Sequence, residues 1–239
     1  MNDVLEQENE SKQLQVVQSN HLVEATYRMD VRAKRLMLCL LGKLDARLPV
    51  PKVLNLDINE YVEWTKTDKK TAYRDMKTGA ELLLKTIIHT YDKETRIGEM
   101  TVLAEKLRYF DNEARIECTF TQWVKPYIRY LATNFTQFGL EDCAQFRSFY
   151  TIRLYEMMMQ YQSTGWRKIE IEQYRKIMGL EKKQYKVFAA LRRRCIEPAM
   201  KEINEKSDYT ITCEYLKKGR KINTLYFKFE LDDQLKLEL

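Results

Sequence analysis

One order of elements appears twice in this chain of 239 residues, and it restricts the fold more than any single motif. From residue 31 the pattern reads long helix, strand, short helix, second helix, hairpin; from residue 147 the same order begins again. In the first series, residues 31–44 (VRAKRLMLCLLGKL) are too densely apolar for a surface helix. They read as a central core helix with Arg32, Lys34, Arg35 and Lys43 at its wet edge. Residues 53–58 alternate apolar and polar, as a half-buried strand does. A short helix over 59–64 follows, then a turn in which Thr67 or Asp68 supplies an N-cap. The next helix, over 69–86, carries Met76, Ala80, Leu83 and Ile87 on one face. Strands are expected over 87–91, 101–109 and 114–120, with turns at 95–99 and 111–112.

In the second series a helix over 147–162, rich in Leu, Met and Tyr, stops at Ser163, Thr164 and Gly165. A strand over 166–171 leads to a short helix over 172–178 closed by Gly179. A second helix over 183–206 is expected to bend at Pro198, whose ring removes a backbone donor and clashes with the preceding turn. Strands over 209–216 and 223–231 flank a hairpin tip at 217–222. A faint sequence repeat accompanies the shared order: LDINEY at 56–61 aligns with IEIEQY at 169–174, a constant offset of 113. Helix, strand, helix, helix, hairpin is the order of a helix-turn-helix with a β wing. The expected fold class is therefore α+β, two tandem winged-helix domains over 15–137 and 138–239. They follow a polar tail, 1–14, that reads as disordered.

The formal net charge is only +6, but its distribution is uneven. Residues 177–228 hold 13 Lys or Arg against 6 Asp or Glu, so the excess sits on the second helix-turn-helix and its wing. With about 100° per residue, Phe188, Leu191, Cys195 and Ala199 form a core stripe. Lys186, Ala190 and Arg193 lie opposite, flanked by Arg192 and Arg194. A reading helix needs an apolar back and a front of small residues and guanidinium groups, which donate paired hydrogen bonds to guanine O6 and N7 in the major groove. Arg193 is expected to face bases, with Arg192 and Arg194 divided between bases and phosphates. Lys183 belongs to the same basic surface. Lys217, Lys218, Arg220 and Lys221 at the wing tip would add backbone contacts, which give affinity rather than sequence readout. A run of charges is more commonly a solvated face; here it coincides with a reading helix, a core stripe and a basic wing. The first module repeats the pattern more faintly. Lys70, Arg74 and Lys77 lie opposite Met76 and Ala80, with Lys69, Thr71 and Tyr73 near the helix start.

Several function classes lack their residues. The only histidines are His21 and His89, with no His-x-His pair or H-E-x-x-H, which argues against a metal-dependent nicking enzyme. There is no G-x-x-x-x-G-K-[ST] loop, and no Ser or Cys has a neighbouring base. Neither a metal nor a cofactor is expected, and the chain reads as a binding protein rather than an enzyme. The five cysteines show no C-x-x-C spacing and read as reduced thiols of a cytoplasmic protein. No apolar run reaches membrane-spanning length, so no membrane partner is expected. Met157, Met158 and Met159 read as core filler.

Several short strings, in order, resemble the iteron-binding plasmid replication initiators of the RepA, RepE and π type. Val16 to Asn20 with Leu22 to Ala25 is similar to that family's opening segment, and Arg35-Leu36 to its following helix. Phe135 to Phe138 with Leu140 resembles the junction of its domains. Arg153-Leu154-Tyr155-Glu156 and Gln160-Tyr161 resemble its next helix. LRRRCIEPAMKEIN at 191–204 and Lys217 to Arg220 resemble its reading helix and wing. The resemblance implies a bacterial protein whose two winged helices bind repeated double-stranded origin sites, with the C-terminal domain as main reader. It implies origin opening together with a host initiator and the replicative helicase. It also implies a homodimer, formed through the N-terminal domain, in equilibrium with monomer. A dimeric transcription repressor of the same fold, including autorepression, is the alternative reading.

Overall fold

The computed structural model describes residues 14–232 apart from 93, 130 and 132. The tail expected over 1–14 lies outside the described residues except for Leu14, which packs half-buried against the core. The chain enters through strand β1 (Gln15–Ser19) and helix α1 (Asn20–Glu24), then reaches α2 (Val31–Gly42). Asp30 caps α2 by accepting the Arg32 amide, and every residue from Ala33 to Gly42 is buried, as a central helix requires. Next come β2 (Leu54–Asp57), α3 (Ile58–Thr65) and α4 (Lys69–Leu84). Asp57 and Glu60 form a reciprocal capping box at α3, and Asp68 caps α4. A hairpin of β3 (Ile87–Tyr91) and β4 (Gly98–Val102) precedes β5 (Ala104–Phe110) and β6 (Arg115–Phe120). A short 3-10 turn, Lys125–Tyr127, leads to β7 (Phe135–Gly139), which pairs antiparallel with β1.

The second half runs α5 (Leu140–Ala144), α6 (Phe149–Met159), β8 (Trp166–Glu170), α7 (Ile171–Ile177) and α8 (Phe188–Leu191). A π-helical turn, Arg192–Ile196, joins α8 to α9 (Glu197–Lys206), and the long hairpin of β9 (Tyr209–Lys218) and β10 (Lys221–Leu231) closes the chain. The two modules have the same sheet topology. In one the strand order is β2-β6-β5, in the other β8-β10-β9, all antiparallel. In each, the strand before the helix-turn-helix pairs with the last strand of the wing, which ties the wing to the helices it flanks. Both modules contribute to one continuous apolar core.

Four sequence expectations need correction. Lys34 and Arg35 are buried rather than at a wet edge. Lys34 Nζ lies 2.6 Å from Glu156 and donates to the Tyr27 hydroxyl, while Arg35 donates twice to the Phe146 carbonyl. A buried charge persists only when paired or hydrogen-bonded, and Glu156 and Phe146 lie far along the chain, where helical periodicity does not reach. The strand expected over 101–109 is two strands in different sheets, broken where Leu103 turns fully into the core, and β4 takes up part of the expected turn at 95–99. The helix expected over 183–206 begins only at Phe188, for a reason that belongs to the interface. The six-residue hairpin tip is a two-residue turn, Gly219 and Arg220, because Lys218 already pairs with Lys221. Gly219 has φ +63° with no positive φ at Arg220, the pattern of a type II′ turn, which favours glycine there. The methionine trio is core, as read: Met157, Met158 and Met159 are all buried.

The seam between the modules is polar at its centre. Arg153 of α6 donates to the Val23, Ala25 and Ile177 carbonyls, to the Tyr27 hydroxyl and to Glu156. Glu156 also receives Lys34 and the Gln18 amide, at 2.6 and 2.9 Å. Lys34, Arg153 and Glu156 are all fully buried. A second weld is steric. Gly179 has φ +61°, and a Cβ there would stand 2.2 Å from the Tyr27 carbonyl oxygen.

Candidate nucleic-acid interface

The C-terminal reading helix is continuous from α8 through the π turn to α9. Its buried residues include Leu191, Cys195, Ala199 and Ile203, spaced four apart. On a regular α-helix a four-residue step drifts by about 40°, so such a row would wind off the core. The π turn is wider, so it takes up part of the drift and keeps the row facing inward. Its cause is local: Pro198 has no amide proton, and on a regular helix its ring would press on the carbonyl four residues back. The Glu197 amide instead bonds to the Arg192 carbonyl, five residues back. The bend expected at Pro198 is therefore a widening just before it. π turns often mark functional sites.

That wide turn carries Arg192, Arg193 and Arg194, all exposed. Arg192 is partly engaged, with Nε 3.3 Å from Glu197 and its guanidinium 6.0 Å from the Tyr215 ring. Among the described residues Arg193 and Arg194 have no carboxylate partner. Tyr215 also stacks edge-on against Phe188 at 5.1 Å, so the wing strand supports the start of the reading helix. Burial pushes the Tyr215 phenol up to about 12. At the wing tip Lys217, Lys218, Arg220 and Lys221 are exposed and form no ion pair among the described residues.

Lys183 and Lys186 are exposed too, but on the turn before the helix rather than on it. Arg175, on α7, explains this. Its guanidinium donates to the carbonyls of Glu181, Gln184 and Tyr185 and so pins the turn that precedes the helix, in which the Glu181 carbonyl also accepts the Gln184 amide. Tyr185 is held at φ +47°. Gln184 in turn receives Arg28 and donates to the Tyr150 hydroxyl, both at 3.0 Å. Arg175, Arg28 and Gln184 were not found by sequence reasoning. An arginine near a helix end gives no signal of which carbonyls it will reach.

In the first module, Lys69, Lys70, Tyr73 and Arg74 are exposed on α4, with Thr71 and Lys77 half-buried. Thr71 is drawn into the N-cap, and its hydrogen bonds hold the Asp68 carboxyl below the usual carboxylate range. Arg74 lies 3.7 Å from Asp75. Tyr73 and Lys77 converge on Asp111 at the tip of the first wing, at 2.7 and 3.3 Å. These two contacts, Tyr73 first, hold the Asp111 carboxyl below its ordinary value. The turn of the first wing thus carries two exposed carboxylates, Asp111 and Glu113, the latter paired with Arg115, where the second wing tip carries only cations.

Elsewhere the chemistry is quiet. Among the described residues no group of three His, Cys, Asp or Glu side chains is placed to hold a metal ion. Four of the five thiols are buried, and burial pushes Cys195 and Cys118 up to about 12. No helix of the described residues is long and apolar enough to cross a membrane.

Two family models match the chain in succession. Residues 15–159 match the family described as Initiator Replication protein, WH1, and residues 170–229 match Initiator Rep protein, WH2. A 27.6 kDa Escherichia coli protein of uncharacterised function is 30% identical over 82% of this chain and 87% of its own length. An Escherichia coli replication initiation protein is 26% identical over 94% of this chain and 72% of its own. A crystal structure of the Pi initiator protein in complex with iteron DNA superposes with a TM-score of 0.79 at 23% identity, covering 93% of this chain and 99% of that one.

Proposed function

Because the chain belongs to the initiator replication protein family, we propose that it initiates plasmid replication by binding repeated double-stranded origin sites, iterons, through both winged helices. The observation that carries this reading is the exposed Arg193 and Arg194, with no carboxylate partner among the described residues, on a helix flanked by a basic wing tip. The division of labour we propose gives the main reading to the C-terminal domain, 138–239, and a supporting groove contact and dimerisation to the N-terminal domain, 15–137. The mechanism is binding rather than bond cleavage: phosphate contacts supply affinity, base contacts supply register, and assembled copies strain neighbouring A·T-rich duplex. Host initiator and helicase are the partners this reading requires. It is supported by the kinship with a named replication initiation protein and by a fold shared with an iteron-bound initiator.

Footprinting on the DNA flanking its own gene tests the proposal. Protected tandem direct repeats are the expected result; a single inverted repeat would favour the repressor. On a protected repeat, Arg193→Ala should weaken specific binding by roughly 1–3 kcal/mol and relax selectivity at one base pair. Equal loss on specific and random duplex would remove Arg193 from base readout. Cleavage of supercoiled DNA in the presence of magnesium would overturn the non-enzymatic mechanism.

A further inference from the structure

The acidic first wing has no use in a simple account of two equivalent DNA-binding modules. Its turn, 111–114, folds back toward the face of α4 that carries Tyr73 and Lys77. Asp111 Oδ1 accepts from the Tyr73 hydroxyl at 2.7 Å and lies 3.3 Å from Lys77 Nζ, with Oδ2 at 3.5 Å. A hydroxyl and an ammonium converging on one anionic oxygen is the arrangement with which a protein receives a DNA phosphate. The pair is open to solvent, with Asp111 60% and Lys77 41% exposed, so water screens it and a stronger anion can displace it.

We propose that Asp111 is an internal phosphate mimic: it occupies the backbone-binding position of the N-terminal reading helix and lowers that module's affinity for DNA of any sequence. The inference rests on the reading that α4 faces DNA. A duplex docking on α4 must either displace the carboxylate from Tyr73 and Lys77 or bind without them. In both cases the module releases one counterion fewer than its cations would allow. Non-specific binding is almost wholly counterion release, so it is the component such a mimic suppresses. The second wing tip carries no counterpart: Lys217, Lys218, Arg220 and Lys221 are exposed and unpaired among the described residues, and the one carboxylate on the reading arginines there, Glu197 beside Arg192, comes from the helix itself. The full-length chain thus holds DNA tightly at one end and lightly at the other.

The test is Asp111→Asn in the full-length protein, measured on a random duplex and on the footprinted site across a salt series. Asparagine keeps an acceptor for Tyr73 and removes only the charge. Affinity should rise on both duplexes. In the limit of pure counterion release the gain is about fifteenfold at 50 mM salt and about fourfold at 200 mM, with the log–log slope steeper by about one unit. Lys70→Ala is measured alongside, because Lys70 lies on the same helix and has no bond to Asp111. If Lys70→Ala weakens binding while Asp111→Asn leaves affinity and slope unchanged or lowers them, α4 meets DNA and the mimic is overturned. If neither substitution changes binding, α4 does not meet DNA, and the reading beneath the proposal fails with it.

Discussion

Glu156→Gln isolates the energetics of the seam. Glu156 contacts two cations, Lys34 and Arg153, and all three side chains are fully excluded from solvent. Replacing it by an uncharged amide leaves both cations buried without an anion. Removing one partner of a buried ion pair costs about 3–5 kcal/mol. The new amide also presents donors toward Lys34 Nζ and Gln18 Nε2, which are themselves donors, so the loss belongs at the upper end of that range. Against a total stability of about 5–15 kcal/mol, this is a large fraction. Urea unfolding followed by circular dichroism should show the midpoint fall sharply with the slope unchanged. Glu197→Gln is the comparator: its pair with Arg192 is about half exposed and should contribute less than about 1 kcal/mol. The pH dependence gives an independent check. Burial alone would raise the Glu156 carboxyl, but Lys34 and Arg153 outweigh it and the net shift is downward. A depressed carboxylate adds stability that is present above the ordinary glutamate value of about 4.3 and is lost as pH falls through the lower folded value. The wild type should therefore lose stability more steeply than Glu156→Gln below about pH 4. A loss under about 1 kcal/mol at neutral pH, or parallel acid profiles, would refute the claim that the seam depends on this charge.

Other substitutions separate binding from folding. Gly179→Ala forces a left-handed backbone on alanine, which costs about 1–2 kcal/mol, and drives a methyl into the Tyr27 carbonyl; an unshifted thermal midpoint would show the weld is slack. Arg175→Met frees three carbonyls of the turn before the reading helix. It should weaken DNA binding about tenfold or more, near 1.4 kcal/mol, with far-ultraviolet dichroism retained; unaltered affinity would mean the turn is positioned without it. Lys218→Ala should weaken specific and random duplex alike and make the salt slope shallower by about one unit; an unchanged slope would take the second wing out of the interface.

The repeated element order was legible because each module is built from local signals: alternation in 53–58 and 166–171, a capping residue at 67–68, and a glycine at 179. The basic reading helix was legible because its apolar and charged positions separate within a few turns. What stayed hidden depends on partners distant in sequence. Lys34 and Arg35 look like surface residues in any short window, since Glu156 and Phe146 lie more than a hundred residues away. The strand pair β1 and β7 is equally non-local, joining residues 15–19 to 135–139. Asp111 reads as an ordinary turn residue until the wing folds against α4. The late start at Phe188 was invisible because a side chain of the preceding helix, Arg175, pins residues 181–185 in a turn, which helix propensity does not reveal.

Wing tips of opposite sign give the molecule a front and a back toward any polyanion. On the function proposed above, the basic end would meet the sugar-phosphate rail strongly and the other end weakly, before a single base is read. Direction along a row of like sites then falls to the base contacts, because the phosphate backbone of a duplex looks alike from either end.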